Sequence, residues 1–312
     1  MKKRTGFNWK TIQKKIKNDW LLYLLILPVL AWYIIFCYLP IAGGVSLSLR
    51  NFRFDAGIWH SPFVGLEHFQ KMITDREFLL VTKNTLVISL GKILFQMPCA
   101  IMVAVFLNDI RSRKLKRTFQ TIITFPHFIS WVVLAGILNN IFGTSGVVNQ
   151  FFGLVGMEGI SPMTSMASFR PFLWISNIWK EVGWDSIIYL AAITSIDPGL
   201  YEAAEVDGAG RLQRIWHITL PGIKSTIAIM LILAIGQMMT NGSFDQIFNL
   251  YSSPVYKVAD TLDTYIFRES FITGGLNYGY STAIGMFKSI IGVIMITLSN
   301  KIVTALGENG LY

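Results

Sequence analysis

Six long runs of apolar residues constrain the fold of this chain more than any other feature. A helix needs about 20 apolar residues to cross the ~30 Å hydrocarbon core of a bilayer. The runs lie at 20–39, 84–107, 119–142, 171–195, 225–241 and 280–303. Only 14% of the 312 residues are charged, against about 25% in soluble domains. The sequence therefore predicts an all-α integral membrane protein with six transmembrane helices.

Lysine and arginine are distributed unevenly between the connections. Cytoplasmic loops of membrane proteins carry an excess of these residues. If both termini share one side, that side holds 16 basic residues and the other side holds 8. The bias predicts cytoplasmic N- and C-termini, with external connections at 50–83, 143–170 and 242–279. The first run is too long for a signal peptide and is interpreted as an uncleaved span.

Several classes of function find no support in the residues. Both cysteines lie inside apolar runs, and the four histidines have no ligand spacing, so no disulfide framework or metal site is predicted. No phosphate-binding G-x-x-x-x-G-K-[ST] segment occurs, and no catalytic arrangement stands out. The net charge of +9 is explained by topology rather than by nucleic acid. The chain by itself is therefore predicted not to be an enzyme.

The connection 196–224 contains two short helical segments separated by a glycine turn. Asp197 is a predicted N-cap, and a helix follows it through Asp207. Gly208 supplies the left-handed residue at which that helix ends. A second short helix is predicted over 211–218. This connection lies on the side predicted to be cytoplasmic.

The same connection resembles the signature of ABC importer permeases, E-A-A-x3-G-x9-I-x-L-P. Every defined position is matched, by Glu202, Ala203, Ala204, Gly208, Ile218, Leu220 and Pro221. The resemblance implies a type I ABC importer permease fold whose coupling helix docks into a groove of a separate ATP-binding subunit. In that family Glu202 would meet a basic group of the groove, and Gly208 would set the turn.

The resemblance also implies an organisation and a set of partners. It covers 84–303, the expected importer core, which contains the coupling loop 196–224. A basic cytoplasmic tail (1–19), a first span with its external loop (20–83) and a C-terminal cytoplasmic tail (304–312) flank this core. The implied partners are ATP-binding subunits that hold ATP and Mg²⁺, a second and unlike permease subunit, and an extracytoplasmic solute-binding protein. No cofactor is implied in this chain, and the basic tail can contact anionic membrane lipid.

Three looser segments are similar to the maltose-permease-like carbohydrate branch, in particular to its lipoprotein/polysaccharide-type permeases. They read YLAAITSIDP, FPHFISWVV and SFDQIFNLY. The resemblance implies that the cargo is a sugar, an oligosaccharide or a glycan fragment.

Polar residues within the fourth and fifth runs are the candidates for a substrate pathway. Ionisable groups at membrane depth face protein or water rather than lipid. Polar groups beside an aromatic ring suit a sugar, and the seven candidates are Asn177, Glu181, Trp184, Asp185, Gln237, Asn241 and Phe244. Asn177, Glu181 and Asp185 share one helical face because they are spaced at i, i+4 and i+8. Structural pairing, for example of Lys180 or Lys92 with Glu181, is an equally open interpretation.

Two other functions are compatible with a polytopic chain. A stand-alone secondary transporter or channel could use the charges of the fourth run as an ion relay, but no internal repeat is visible and the E-A-A segment is unexplained. A membrane sensor that does not transport, built on a permease-like scaffold, is the third alternative.

Overall fold

A computed structural model describes residues 18–239, 244–272, 277–308 and 310–311, and every regular element among them is helical. The predicted tail 1–19 lies outside the described residues except for its last two positions, and Asn241 also lies outside them. The α-helices, in chain order, are α1 Trp20–Tyr33, α2 Leu39–Ser48, α3 Gly57–His60, α4 Glu67–Thr74, α5 Arg76–Asp109, α6 Arg113–Thr124, α7 Trp131–Phe142, α8 Val147–Leu154, α9 Phe169–Thr194, α10 Pro198–Val206, α11 Arg211–Arg214, α12 Leu220–Gly222, α13 Lys224–Gly236, α14 Phe244–Leu250, α15 Tyr256–Ala259, α16 Leu262–Phe271 and α17 Tyr278–Ala305.

Four helical stretches in the described part of the chain are long and apolar enough to cross a membrane. They are Trp20–Ser48, Arg76–Asp109, Trp131–Leu154 and Tyr278–Ala305, and a pair bent by 61°, Arg211–Gly222 with Lys224–Gly236, makes a fifth. Helix α9 has 26 residues but carries three ionisable side chains in its middle, so composition alone does not identify it as a span. The chain is thus an all-helical membrane protein with four or five stretches that qualify as spans by length and composition.

The third apolar run does not form one helix. Helix α6 ends at Thr124, a 3₁₀ turn covers Phe125–Phe128, and α7 begins only at Trp131. Pro126 lacks an N–H group and interrupts the hydrogen-bond ladder. The Ser130 hydroxyl then accepts a hydrogen bond from the Val133 amide at 3.3 Å and caps the new helix. The run 119–142 is therefore divided between two helices at Pro126.

Two prolines are accommodated by π-helical turns that precede them. The turn Ile34–Tyr38 leads into Pro40, and the turn Ile215–Thr219 leads into Pro221. A proline ring normally collides with the carbonyl one turn earlier, and the wider π turn moves that carbonyl away. The first helical stretch thus continues past Pro40 to Ser48.

Helix α9 packs closely against α5 and against α6 at two glycines. Gly91 of α5 lies under the ring of Trp174, whose Nε1–H donates to the Ile88 carbonyl at 3.1 Å. At Gly183 of α9, an added Cβ would lie 2.0 Å from the Ile123 carbonyl oxygen. Glycine is required at both places because the neighbouring groups leave no room for a side chain.

A carboxylate ties three helices together where α5 begins. Asp75 caps α5 by accepting the Glu77 amide at 2.9 Å, and it also accepts the hydroxyls of Tyr265 at 2.8 Å and Tyr280 at 3.1 Å. Burial acts to raise the pKa of the Asp75 carboxyl, but these hydrogen bonds outweigh it and hold the pKa below its usual range. The network fixes α16 and α17 beside α5.

Candidate functional site

A cavity of about 700 Å³ opens between α5, α9, α13 and the segment that follows α13. This volume is within the range of pockets that hold small-molecule ligands. Its polar and aromatic lining comes from five helices and from Gln237 directly after α13: Ser89, Lys92, Gln96, Trp131, Asn177, Glu181, Asp185, Tyr189, Gln237, Phe244, Asp245 and Asp263.

The predicted polar face of α9 points into this cavity. Asn177, Glu181 and Asp185 all line it. The Asn177 amide donates to the side-chain oxygen of Gln96, whose own amide donates to the Asp185 carboxylate. Gln96 therefore bridges two α9 side chains across the interface between α5 and α9. The carboxylate of Asp185 faces the cavity with a neutral partner.

Glu181 lines the cavity and is also ion-paired. Lys180 Nζ lies 2.7 Å from one carboxylate oxygen, and His127 Nδ1 lies 2.5 Å from the other. Lys180 Nζ also donates to the His127 carbonyl at 2.7 Å and lies 5.6 Å from the centre of the Trp131 ring. Only 7% of the Lys180 side chain is exposed. Lining and pairing are thus not alternatives at Glu181, because the structure shows both.

Trp184 does not belong to the cavity lining among the described residues. Its ring stacks on His127 with centroids 4.4 Å apart and planes 4° apart. Trp184 thus supports the histidine that contacts Glu181. The aromatic side chains that line this cavity are those of Trp131, Tyr189 and Phe244, and a role of Trp184 in a substrate pathway stays a prediction.

The opposite wall contains two of the remaining predicted residues. Gln237 and Phe244 line the cavity, whereas Asn241 falls outside the described residues. Lys92 contacts Gln246 at 2.6 Å instead of pairing directly with Glu181, and Lys288 pairs with Asp263. Asp263 on this wall is therefore ion-paired, whereas Lys92 donates to a neutral amide.

Sequence reasoning missed Gln96, Trp131, Asp245 and Asp263. A signal exists for Gln96, because Ser89, Lys92 and Gln96 recur at i, i+3 and i+7 within an apolar run and so share one face. The other three lie at the ends of short helices, where no periodic pattern marks them.

The coupling loop has the predicted local geometry. The Asp197 carboxylate accepts the Gly199 amide at 2.9 Å and caps α10. Gly208 has a φ of +79°, and the amide of Ala209 returns to the Ala204 carbonyl at 2.8 Å. An αL glycine closed by such a hydrogen bond is a Schellman-type helix end. Helix α10 therefore begins and ends within ten residues through its own side chains and backbone.

Few groups of this loop are covered by the subunit itself. No residue of α10 is buried, and Glu202 and Ala203 are exposed while Ala204 is half-buried. Val206, an apolar residue, is 88% exposed. Ile218, Leu220 and Pro221 lie in the π turn and in α12, which lead towards α13. The loop thus offers a largely exposed helix surface of mixed acidic and apolar character.

Polar contacts fasten the loop to the rest of the subunit. The Tyr201 hydroxyl lies 3.0 Å from the Thr219 hydroxyl, and Arg211 pairs with Asp109 at 2.5 Å. Asp109 is the last residue of α5, the helix that carries Lys92 and Gln96 into the cavity. The loop is therefore attached, through Arg211 of α11, to the end of a helix of the cavity wall.

A family of known proteins matches most of this sequence. The model of the family described as "Binding-protein-dependent transport system inner membrane component" matches residues 96–309. The chain belongs to this family. It is accordingly a membrane-bound permease component of an ABC importer, as the E-A-A segment predicts, and ATP is hydrolysed by a separate subunit in such transporters. The alternative of a stand-alone secondary transporter is thereby excluded.

Relatives of this permease match it over nearly its full length. The polygalacturonan/rhamnogalacturonan transport system permease protein YteP of Bacillus subtilis (strain 168) is 40% identical over 99% of this chain and 94% of that protein. Protein LplB of the same organism is 38% identical over 98% and 95%. A chain of a bacterial alginate ABC transporter, crystallised with its alginate pentasaccharide-bound periplasmic protein, superimposes with a TM-score of 0.86 at 37% identity, covering 96% of this chain and 99% of that one.

Proposed function

We propose that this permease moves an oligosaccharide through the cavity between α5, α9 and α13. The observation that carries the proposal is the composition of the wall, where amide and carboxylate groups stand beside the rings of Trp131 and Phe244. Hydroxyls of a sugar accept and donate hydrogen bonds to such groups, and its C–H face packs on aromatic rings. The naming of YteP for polygalacturonan and rhamnogalacturonan, and of the solved transporter for alginate, supports a fragment of a polysaccharide as the cargo.

The arrangement in the membrane that we propose has six spans, with both termini in the cytoplasm. Helix α9 is the fourth of these spans. Lys180 and Glu181 pair within it, Gln96 of α5 donates to Asp185, and His127 contacts Glu181. The segments 1–19 and 304–312 are then cytoplasmic tails, and 20–83 forms the first span with an external loop. The core, 84–303, contains the coupling loop 196–224.

The partners that we propose are those of a complete importer. The exposed surface of α10, with Glu202 and Val206, docks into a cytoplasmic ATP-binding subunit that holds ATP and Mg²⁺. A second, unlike permease subunit completes the pathway, and an extracytoplasmic solute-binding protein delivers the sugar. The crystallised complex of the alginate transporter with a periplasmic protein supports the last of these partners.

Cysteine labelling tests the orientation. Arg113 and Ser253 are both exposed in the structure, so a cysteine at either position can react wherever reagent reaches it. In a variant without Cys37 and Cys99, Ser253→Cys is expected to react with an impermeant maleimide in intact cells. Arg113→Cys is expected to react only after the membrane is opened. Labelling of Arg113→Cys in intact cells would contradict the cytoplasmic position of the 109–118 connection.

Asp185→Asn tests the cavity. The change keeps the shape of the side chain and its contact with Gln96 but removes the charge that faces the cavity. Uptake in vesicles is expected to fall about tenfold, since a hydrogen bond to a charged group is worth about 1.5–3 kcal/mol. Assembly and ATP hydrolysis should be retained. Asp55→Asn, a carboxylate of a surface ion pair with Arg53, is the matched control. Loss of assembly instead of uptake would assign Asp185 a structural role.

A further inference from the structure

We propose that a row of six aromatic rings extends the sugar path from the cavity to the outer end of the subunit. The rings, in order, are Phe244, Phe248, Phe267, Phe271, Tyr278 and Phe54. The proposal rests on the proposed function. It assigns a ligand to these rings, namely successive sugar units of an oligosaccharide that is bound outside the cavity.

The rings follow one another without a gap. Their centroids are 5.0 Å apart for Phe244 and Phe248, 5.0 Å for Phe248 and Phe267, and 5.3 Å for Phe267 and Phe271. The distances are 6.2 Å from Phe271 to Tyr278 and 5.5 Å from Tyr278 to Phe54. The row thus crosses α14, α16 and the start of α17 and ends in the connection between α2 and α3. In the proposed orientation this connection is external.

Exposed and half-buried rings alternate along the row. The exposed fractions are 37% for Phe248, 66% for Phe271 and 67% for Phe54. Phe244, Phe267 and Tyr278 are half-buried, and each exposed ring touches at least one of them. The exposed rings are therefore held in place by neighbours and do not need to be ordered when a ligand arrives, which lowers the entropic cost of binding.

Two observations favour a sugar over lipid as the group that covers this row. Phe244 lines the same cavity as Asp185 and Asp263, so the row begins among polar side chains. Helix α16, which carries Phe267 and Phe271, also carries Arg268, which is paired with Asp260 and Glu77. Charges are costly on a surface that faces hydrocarbon. Aromatic rings beside such polar groups match the C–H faces and hydroxyls of a saccharide.

The length of the substrate provides the test. Complexes with Phe248→Leu or Phe271→Leu are compared with wild type for uptake of di- and pentasaccharides of galacturonate and of alginate. Leucine keeps an apolar side chain but removes the flat ring. Pentasaccharide uptake is expected to fall about threefold or more, as for loss of one aromatic contact, while disaccharide uptake is nearly unchanged. Phe271→Trp should retain pentasaccharide uptake, and Asp185→Asn should reduce uptake of both lengths.

A matched control and the comparison of the two lengths distinguish a sugar-binding row from a protein-docking surface. Phe151→Leu removes an equally exposed ring, 59% accessible, that lies outside the row and should change neither length. Unchanged pentasaccharide uptake in both row variants would overturn the proposal. An equal loss for both lengths, with loss of stimulation of the ATPase by the binding protein, would overturn it in favour of a protein-docking surface. If wild type takes up none of these saccharides, the proposed function is contradicted. The assignment of a saccharide to the aromatic row, which rests on that function, is then contradicted as well.

Discussion

Gly208→Val is expected to abolish uptake while the subunit still inserts in the membrane. Gly208 has a φ of +79°, a conformation that a β-branched residue adopts only at a cost of about 1–3 kcal/mol. Apart from Gly208 and its chain neighbours, no atom of the described residues lies within 4 Å of the position where a Cβ would stand, so the effect is conformational rather than steric. The strained turn is expected to change the direction in which α10 leaves the subunit and so to disrupt the docking surface proposed for the ATP-binding subunit.

Co-purification of the ATP-binding subunit, together with uptake in vesicles, measures this effect. Gly208→Asn is the matched control, because asparagine tolerates the left-handed region better than other residues with a side chain. It is expected to retain most of the ATPase and most of the uptake. Normal ATPase retention in the valine variant would show that the turn at Gly208 does not position α10.

Glu181→Gln is expected to reduce strongly the amount of assembled permease. The change removes the carboxylate that lies 2.7 Å from Lys180 Nζ, and the Lys180 side chain is only 7% exposed. Removing one partner of a buried ion pair costs about 3–5 kcal/mol, because the other charge remains buried without compensation. Detergent-extracted yield and thermal stability are the measurements.

A second variant distinguishes charge compensation from substrate contact. The double change Lys180→Met with Glu181→Gln removes both charges and should recover much of the yield that Glu181→Gln loses. Asp109→Asn breaks the more exposed pair with Arg211 and should alter stability by only about 0–1 kcal/mol. Full yield of Glu181→Gln alone would mean that His127 and the solvent of the cavity are enough to stabilise the charged side chain of Lys180.

Local signals made parts of the fold predictable. The runs 84–107 and 280–303 lie inside α5 and α17, because an uninterrupted apolar run leaves a helix as the only way to satisfy the backbone in lipid. The coupling loop was predictable because its cap and its glycine turn act over a few residues. The break after Thr124 could be predicted only in part. Pro126 marks the position of the break, but the residue at which α7 begins is set by the cap at Ser130.

The partners of the cavity residues could not be predicted from spacing. Gln96 and Asp185 are 89 positions apart, and His127 and Glu181 are 54 apart. The spacing of residues along one helix does not show which residues of another helix they will contact. Trp184 illustrates the result, because it adjoins Asp185 in the chain yet turns its ring to His127 outside the cavity.

The order of synthesis gives these long-range contacts a further meaning. Helix α9 brings Lys180, Glu181 and Asp185 into the membrane, and each such charge costs about 2.5–3.5 kcal/mol at the centre of an isolated helix. Gln96, which contacts Asp185, and His127, which contacts Glu181, both precede α9 in the chain. When the ribosome delivers α9, the side chains that compensate its charges have already been made. Helix α9, which carries three charged side chains in its middle, is thus synthesised after the residues that contact those charges.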